Sequence, residues 1–404
     1  MLKLFLMRRA FKIIAHLDLD CFFVSVERIF HPELKDKPVI VSGKPEGRGV
    51  VSSASYEARA YGVKNGMALK QAKKLCPEAV VLPLQMELYA YFSEQVFNLL
   101  KEFSPLVEEA SVDEAYLDLS GCEKLFGSPK KTAQLIQKTI KEKLALPCSI
   151  GIGSNKLVAK VASKLAKPEG ILEVPAGKEE EFLAEFPIDI LPGIGGKTKD
   201  RLQLLGAKKV KHLLSLGSKI LQEHFGKFGL EIYKRAQGLG ETELVVEQVP
   251  PKSLGKEITF DRDIFDPKEK EEWLYLLILK LGIKLREHNL YAQRLTLKFR
   301  SPDFTTWSRS IRLPTPSNQD KVLLAYAQKV LERENPSQPL RLLGVSGGDL
   351  VPIRQLDLFE QEKTAKQEQL LKALDQLRKI YGISSIYPAE LKELISQLKK
   401  GGAR

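Results

Sequence analysis

The stretch Lys12 to Glu27, KIIAHLDLDCFFVSVE, constrains this chain most, because it sets two aspartates inside an apolar run. Ile13, Ile14, Ala15, Leu17 and Leu19 read as a strand buried on both faces, where an unpaired carboxylate costs several kcal/mol. Asp18 and Asp20 therefore need cationic partners. A period of two puts both carboxylates on one face of that strand. A second acidic cluster, Ser111-Val112-Asp113-Glu114, lies in the apolar-alternating segment Ala110 to Leu119, which also reads as a strand. Two such strands side by side would hold hard divalent cations, magnesium above all, through oxygen ligands. Paired cations of that kind serve in-line phosphoryl or nucleotidyl transfer. The plainer alternative makes Asp18 the cap of a helix starting near Phe22 and Asp113-Glu114 a turn.

The 404 residues allow two to four domains, and 43% hydrophobic with 28% charged content fits a soluble globular protein. A formal charge of +12 favours polyanionic partners, nucleic acid before acidic metabolites. Cys21, Cys76, Cys122 and Cys148 are too widely spaced for a zinc knuckle, and the five histidines add no metal spacing. Ordinary reduced thiols in a cytoplasmic protein are expected. The N-terminus MLKLFLMRRAF places its apolar run before its basic pair, the reverse of a secretory signal, and translation starts at Met1 or Met7. No apolar run reaches membrane-spanning length.

Val50 to Arg59 reads as a strand entering a helix that carries Tyr56 and Arg59 on one face, a pair suited to phosphate. Helices are expected over Leu88–Phe103 and Lys130–Leu144. After the strand Cys148–Ile152 comes a helix with Lys156, Lys160 and Lys164 on a basic stripe, by default a solvated face, and Leu157, Val158, Val161 and Leu165 on the core stripe, with Lys167 leaving its end before Pro168. The turn LPGIGGKT at Leu191–Thr198 fails the Walker pattern and fits a helix-hairpin-helix, whose Gly193 and Gly195 let backbone amides approach a DNA phosphate beside Lys197. Lys199, Arg201, Lys208, Lys209 and Lys211 add charge nearby. A linker is expected at Glu247–Pro251. Beyond it the pattern is strand Leu254–Phe260, helix Pro267–His288, strands Gln293–Arg300 and Thr306–Leu313, helix Asn318–Glu334 and strand Leu340–Val345. That βαββαβ order makes a four-stranded sheet with one bare face. Lys298, Arg300, Arg309 and Arg312 are expected on its central strands, facing a phosphate backbone. In the polar tail, Gln355-Leu356-Asp357-Leu358-Phe359 is an apolar cluster followed by an amphipathic helix around Leu370–Ile380.

Seven blocks, LDLDCFFVSVE, SYEARAYGVKNGM, ASVDEAYLDLS, IGIGSNKLVAKVASKLAKPEG, LPGIGGKT, KSLGKEITF and QLDLF, resemble in content and order the Y-family DNA polymerases, most closely the bacterial DNA polymerase IV branch. The resemblance spans roughly Ile13 to Phe359. It implies an α+β multidomain right-hand polymerase with a ferredoxin-like palm (1–30 and 85–175), small fingers (31–84), a helix-hairpin-helix thumb (176–248), a βαββαβ little finger (249–352), and a clamp-binding motif with helical tail (353–404). It implies that Asp18, Asp113 and Glu114, with the Leu19 carbonyl, hold two Mg2+ ions, for which Mn2+ can substitute, and it removes Asp20 from that ligand set. By the same likeness Phe23 is a steric gate against ribonucleotides, and Tyr56, Arg59 and Lys167 hold the incoming triphosphate. The likeness further implies that Gln355, Leu356, Leu358 and Phe359 dock on the bacterial sliding clamp. The implied activity is low-fidelity, translesion, template-directed DNA synthesis without proofreading, by a monomer acting on primer-template DNA and deoxynucleoside triphosphates. The block QLDLF is internal here, where many relatives end at it. A non-catalytic, clamp-tethered scaffold would be free to lose Asp18, Asp113 or Glu114, and a two-metal nuclease would not need Tyr56, Arg59 and Lys167.

Overall fold

The computed structural model describes residues 12–43, 47–247, 250–334, 338–352 and 361–400. Two compact units meet in sequence at Gln248, Met1–Gln248 and Val249–Arg404. In the first, β1 (Ile14–Leu19) leads into α1 (Phe22–Phe30), then β2 (Val39–Ser42), β3 (Val51–Ala54), α2 (Tyr56–Ala60), α3 (Leu69–Leu75), β4 (Val80–Pro83) and α4 (Met86–Lys101). There follow β5 (Val107–Glu109), β6 (Glu114–Asp118), α5 (Pro129–Leu144), β7 (Cys148–Gly153), α6 (Lys156–Ala166) and β8 (Ile171–Glu173). Four helices close the unit: α7 (Glu179–Ala184), α8 (Gly196–Leu204), α9 (Val210–Phe225) and α10 (Lys227–Ala236).

Strand β1 is the middle of a five-stranded sheet ordered β5-β6-β1-β7-β8, antiparallel to both neighbours. That position explains its unbroken apolar run. Ala15, Leu17 and Leu19 enter the main core with α1, α4 and α5, while Ile14 faces Tyr116 and Ala159 on the other side. Helix α6 lies directly on β7, because a Cβ at Gly151 would stand 2.1 Å from the Ser163 amide nitrogen. The close approach carries the lysines of α6 to the β1–β6 end of the sheet. A three-stranded sheet, β3-β2-β4, has its own core around Ile40, Val51, Ala58 and Leu69.

The second acidic segment differs from the expected continuous strand. β6 begins at Glu114, and Ala110 and Ser111 both donate to the Glu114 carbonyl, so Asp113 sits in a turn rather than on a pleat. The cap alternative for Asp18 also fails, since Cys21 is the N-cap of α1. Ahead of the expected linker, the chain is docked on the first sheet: Lys156 N donates to Glu241 O at 2.9 Å and Val245 N to Glu108 Oε2 at 2.8 Å.

The second unit contains β9 (Ser253–Ile264), α11 (Pro267–Glu287), β10 (Tyr291–Arg300), β11 (Thr306–Ser317), α12 (Asp320–Glu334), β12 (Leu340–Val351), α13 (Gln361–Tyr381) and α14 (Lys392–Lys400). The first six make the expected βαββαβ sheet, ordered β11-β10-β12-β9 and antiparallel throughout. β12 runs six residues past the expected end, through Gly347 and Gly348, because β10 and β9 pair with it on both sides. Helix α11 is apolar on two faces. Leu274, Ile278, Leu281 and Leu285 pack on the sheet, whereas Leu276 and Leu279 pack against Leu391, Leu394 and Ile395 of the tail. The tail is thus a third layer, tied by Arg286 between Asp320 (2.8 Å) and Asp375 (2.5 Å). Gln355, Leu356, Leu358 and Phe359 lie outside the described residues. No described helix is long and apolar enough to cross a membrane.

Candidate active site

Register brings the acidic residues together: Asp18 on β1 is the cross-strand partner of Glu114 on β6, and Leu19 N donates to Asp113 O at 2.9 Å. These four residues open onto a pocket of about 590 Å³, which the second sheet and its loops complete with Ser52, Ser53, Arg59, Lys64 and Asn65. Phe22, Phe23, Cys21 and Lys167 also line it. Asp18, Asp113, Glu114, Leu19, Phe23, Arg59 and Lys167 therefore converge on one cavity, and Tyr56 is not among its lining residues.

Charge in the pocket is balanced by lysine. Burial drives the Asp18 carboxyl up to about 6, opposed by Lys167, whose Nζ donates to Asp18 Oδ1 at 2.6 Å, while Glu114 and Asp113 push it up further. Glu114 goes the other way, to about 2: His16 and Lys160 favour its anion more than burial opposes it. Lys160 Nζ meets Glu114 Oε2 at 2.5 Å, and His16 Nε2 stands 3.8 Å from the same oxygen, too far for a hydrogen bond. Asp113 is half-buried and accepts from Ser111 Oγ at 2.6 Å. Among the described residues no three His, Cys, Asp or Glu side chains gather around one point as a metal would require. The donor set nevertheless fits hard cations: carboxylate oxygens of two strands share a pocket, and lysine ammonium groups supply the positive charge beside them.

The lysine stripe of α6 is thereby corrected. Lys156 and Lys160 do not form a solvated basic face; Lys156 pairs with Glu108 at 2.8 Å and Lys160 with Glu114, each reaching the neighbouring sheet. Lys167, at the C-cap of α6, leaves the helix as expected.

Asp20 is 1% exposed and fully engaged, accepting from Tyr56 Oη at 3.0 Å, Ser149 Oγ at 2.9 Å and Glu169 N at 2.8 Å. It does not share the face of Asp18, as a period of two would have it, because β1 ends at Leu19 and Cys21 turns the chain with φ 46°. Tyr56 consequently spends its hydroxyl on Asp20, and burial together with that carboxylate raises its pKa. Its ring carries the Arg59 guanidinium 5.1 Å from the centroid, so the two do share a helical face. Phe23 stacks on Tyr89 at 4.3 Å with ring planes 11° apart, and the Tyr89 hydroxyl is fixed on Glu27 Oε1 at 2.5 Å. Phe22 is 3% exposed and belongs to the core. Ser52, Ser53, Lys64 and Asn65 were not singled out from sequence as pocket groups; their only signal is that Lys64 and Asn65 lie within the SYEARAYGVKNGM block and the two serines just before it.

Away from the pocket, Gly193 takes φ +86° before α8, whose N-cap is Gly195, and Arg235 Nη1 holds Pro192 O at 2.5 Å beneath it. A Cβ at Gly193 would meet Arg235 Nη1 at 2.7 Å. Lys197 is exposed in the first turn of α8, whereas Lys209 and Lys211 both pair with Glu185. In the second unit, Thr296, Lys298 and Arg300 alternate with buried Leu295, Leu297 and Phe299, which places Lys298 and Arg300 on the bare sheet face. Lys298 pairs with Glu257 at 2.8 Å, and Arg300 Nε donates to Thr306 Oγ1 at 2.8 Å. Arg309 and Arg312 belong to the edge strand β11, not to a central one. Arg309 is opposite Leu297, hence on the helix side, where it pairs with Glu334 at 2.9 Å.

The model of the impB/mucB/samB family matches residues 17–164, that of its C-terminal domain residues 251–358, and that of the family's HHH motif residues 177–207. A DNA polymerase IV from Dehalococcoides mccartyi (strain CBDB1) is 39% identical over 376 residues, 92% of this chain and 96% of the relative. One from Bacillus anthracis is 33% identical over 378 residues, 92% of each. A solved Y-family DNA polymerase chimera superposes with a TM-score of 0.72 at 30% identity, covering 84% of this chain and 99% of its own. With a five-stranded sheet, a hairpin motif and a βαββαβ sheet all in the matching order, the chain belongs to the impB/mucB/samB family of Y-family DNA polymerases, in the DNA polymerase IV branch, and is a DNA-directed DNA polymerase.

Proposed function

We propose that this chain is a template-directed, low-fidelity translesion polymerase that extends a primer 3′ end by two-metal nucleotidyl transfer, without proofreading, and is recruited by the sliding clamp. The observation that carries the reading is the cross-strand pairing of Asp18 with Glu114 at a pocket shared with Arg59, Lys167 and Phe23. Asp18, Asp113 and Glu114, with the Leu19 carbonyl, would hold two Mg2+ ions, or Mn2+ in their place. Bound there, such ions activate the primer 3′-hydroxyl and neutralise charge on the leaving pyrophosphate.

The chain's own groups do the rest. Arg59 and Lys167 bring fixed positive charge to the triphosphate in a partly enclosed cavity, where it acts more strongly than in bulk water. Tyr56, held on Asp20, supports the Arg59 guanidinium through its ring. Phe23, braced by Tyr89, fills the volume that a ribose 2′-hydroxyl would need. Gly193, Gly195 and Lys197 on one unit, and Lys298 and Arg300 on the other, contact DNA phosphates. The domain map follows: palm 1–30 and 85–175, fingers 31–84, thumb 176–248, little finger 249–352, clamp motif and tail 353–404, in a monomer working in the cytoplasm.

Primer extension on matched undamaged and damaged templates, with magnesium and all four deoxynucleotides, tests the proposal. Extension past the lesion, with no 3′ exonuclease release, is expected. An inert protein that binds the same DNA would overturn it.

A further inference from the structure

His16 is completely buried on β1, yet one of its nitrogens has no partner. Its Nδ1 lies 2.7 Å from Ser163 Oγ on α6, its ring is 4.6 Å from that of Tyr116, and Nε2 is a buried polar atom without a hydrogen bond. A merely structural histidine would be satisfied on both sides or face an apolar wall. Nε2 instead faces Glu114 Oε2 at 3.8 Å, the oxygen that Lys160 already holds.

A neutral imidazole carries one proton, so the Ser163 hydroxyl decides where it resides. If Nδ1–H donates to Ser163, the bare lone pair of Nε2 is turned on a carboxylate in a buried site, which is repulsive. If Ser163 Oγ–H donates to Nδ1, Nε2–H points at Oε2, and the interaction is attractive. The second arrangement wins electrostatically, although it withdraws the Ser163 proton from the Lys160 carbonyl at 2.9 Å.

We propose that His16 is a positioning residue for Glu114: its Nε2–H, set by Ser163, is the neutral donor that takes Oε2 when the Lys160 ammonium leaves it. An ammonium competes with a cation for the same carboxylate, whereas a neutral N–H holds and orients a ligating carboxylate beside one. The inference rests on Glu114 being a metal ligand.

Mn2+ binding to the full chain, followed by electron paramagnetic resonance, separates the two ideas. Glu114→Gln should weaken Mn2+ binding, and if it does not, the ligand assignment itself fails. His16→Phe, which keeps a ring against Tyr116, should raise the Mn2+ dissociation constant roughly 10-fold, in line with outer partners of metal ligands. Ser163→Ala should fall between. Weakened binding in Glu114→Gln with unchanged binding in a folded His16→Phe overturns the positioning role alone. Should His16→Phe not fold, 15N spectra of the wild-type histidine with Mg2+ decide: protonated Nε2 is expected, and protonated Nδ1 overturns the proposal.

Discussion

The ammonium of Lys167 donates to Asp18 Oδ1 at 2.6 Å across 149 positions of sequence, joining the end of α6 to the end of β1. One cation thus serves a buried carboxylate and, by the proposed function, a triphosphate. Asp18→Ala, Asp113→Ala and Glu114→Ala should each lower extension by orders of magnitude with DNA affinity retained, while Lys167→Ala should act chiefly by raising the KM for deoxynucleotides. Steady-state primer extension measures both, and near wild-type extension by Asp18→Ala would refute the ligand assignment.

Phe23→Val should relax discrimination against ribonucleotides more than it slows deoxynucleotide use, because it removes a steric block. Losing the stacked contact with Tyr89 should cost about 1 kcal/mol of stability as well. An unaltered ribonucleotide to deoxynucleotide incorporation ratio would reduce Phe23 to a packing residue.

DNA affinity should fall steeply with salt and vary little with sequence, because the proposed function has Lys197, Lys298 and Arg300 on phosphates. Lys298→Ala should flatten the logarithmic salt slope by somewhat less than one unit, since Glu257 already neutralises part of that charge. Fluorescence anisotropy titrations between low and moderate salt provide the measurement.

In chelator, the contribution of Asp18 to stability, read as the difference between wild type and Asp18→Asn, should decline as pH rises from about 4 to about 6. Folded Asp18 keeps its proton up to about 6, while an unfolded aspartate releases it near 3.8, so the native state binds more protons across that window. Asp18→Asn should lose this slope and be more stable at neutral pH by up to roughly 3 kcal/mol. Thermal melts across pH test the sign.

Deleting residues 355–359 should spare extension by the isolated enzyme and abolish stimulation by loaded clamp, since a tether acts through effective concentration. Leu394→Ala serves as the contrast. It should destabilise the second unit by about 2–5 kcal/mol through a cavity beside Leu276 and Leu279, leaving clamp stimulation of the folded fraction intact.

What the sequence determined by itself is local and ordinal: the acidic strand, the succession of helices and strands, the hairpin glycines, the βαββαβ sheet and the blocks that identify the family. Periodicity assigns faces within one element, so Lys298 and Arg300 could be placed opposite Leu297 and Phe299 without coordinates. It does not say where an element stops or what lies across from it. Asp18 and Asp20 look equivalent until β1 ends at Leu19 and sends Asp20 to Tyr56, Ser149 and Glu169. Arg309 passes for a DNA contact until register puts it opposite Leu297. Lys156 and Lys160 read as surface until Gly151 lets α6 settle on the sheet and the lysines find Glu108 and Glu114. The tail reads as a polar extension until Leu391, Leu394 and Ile395 meet the second apolar face of α11. In each case a charge or an apolar side chain is stabilised by a partner far away in sequence, and only the folded chain brings the two together.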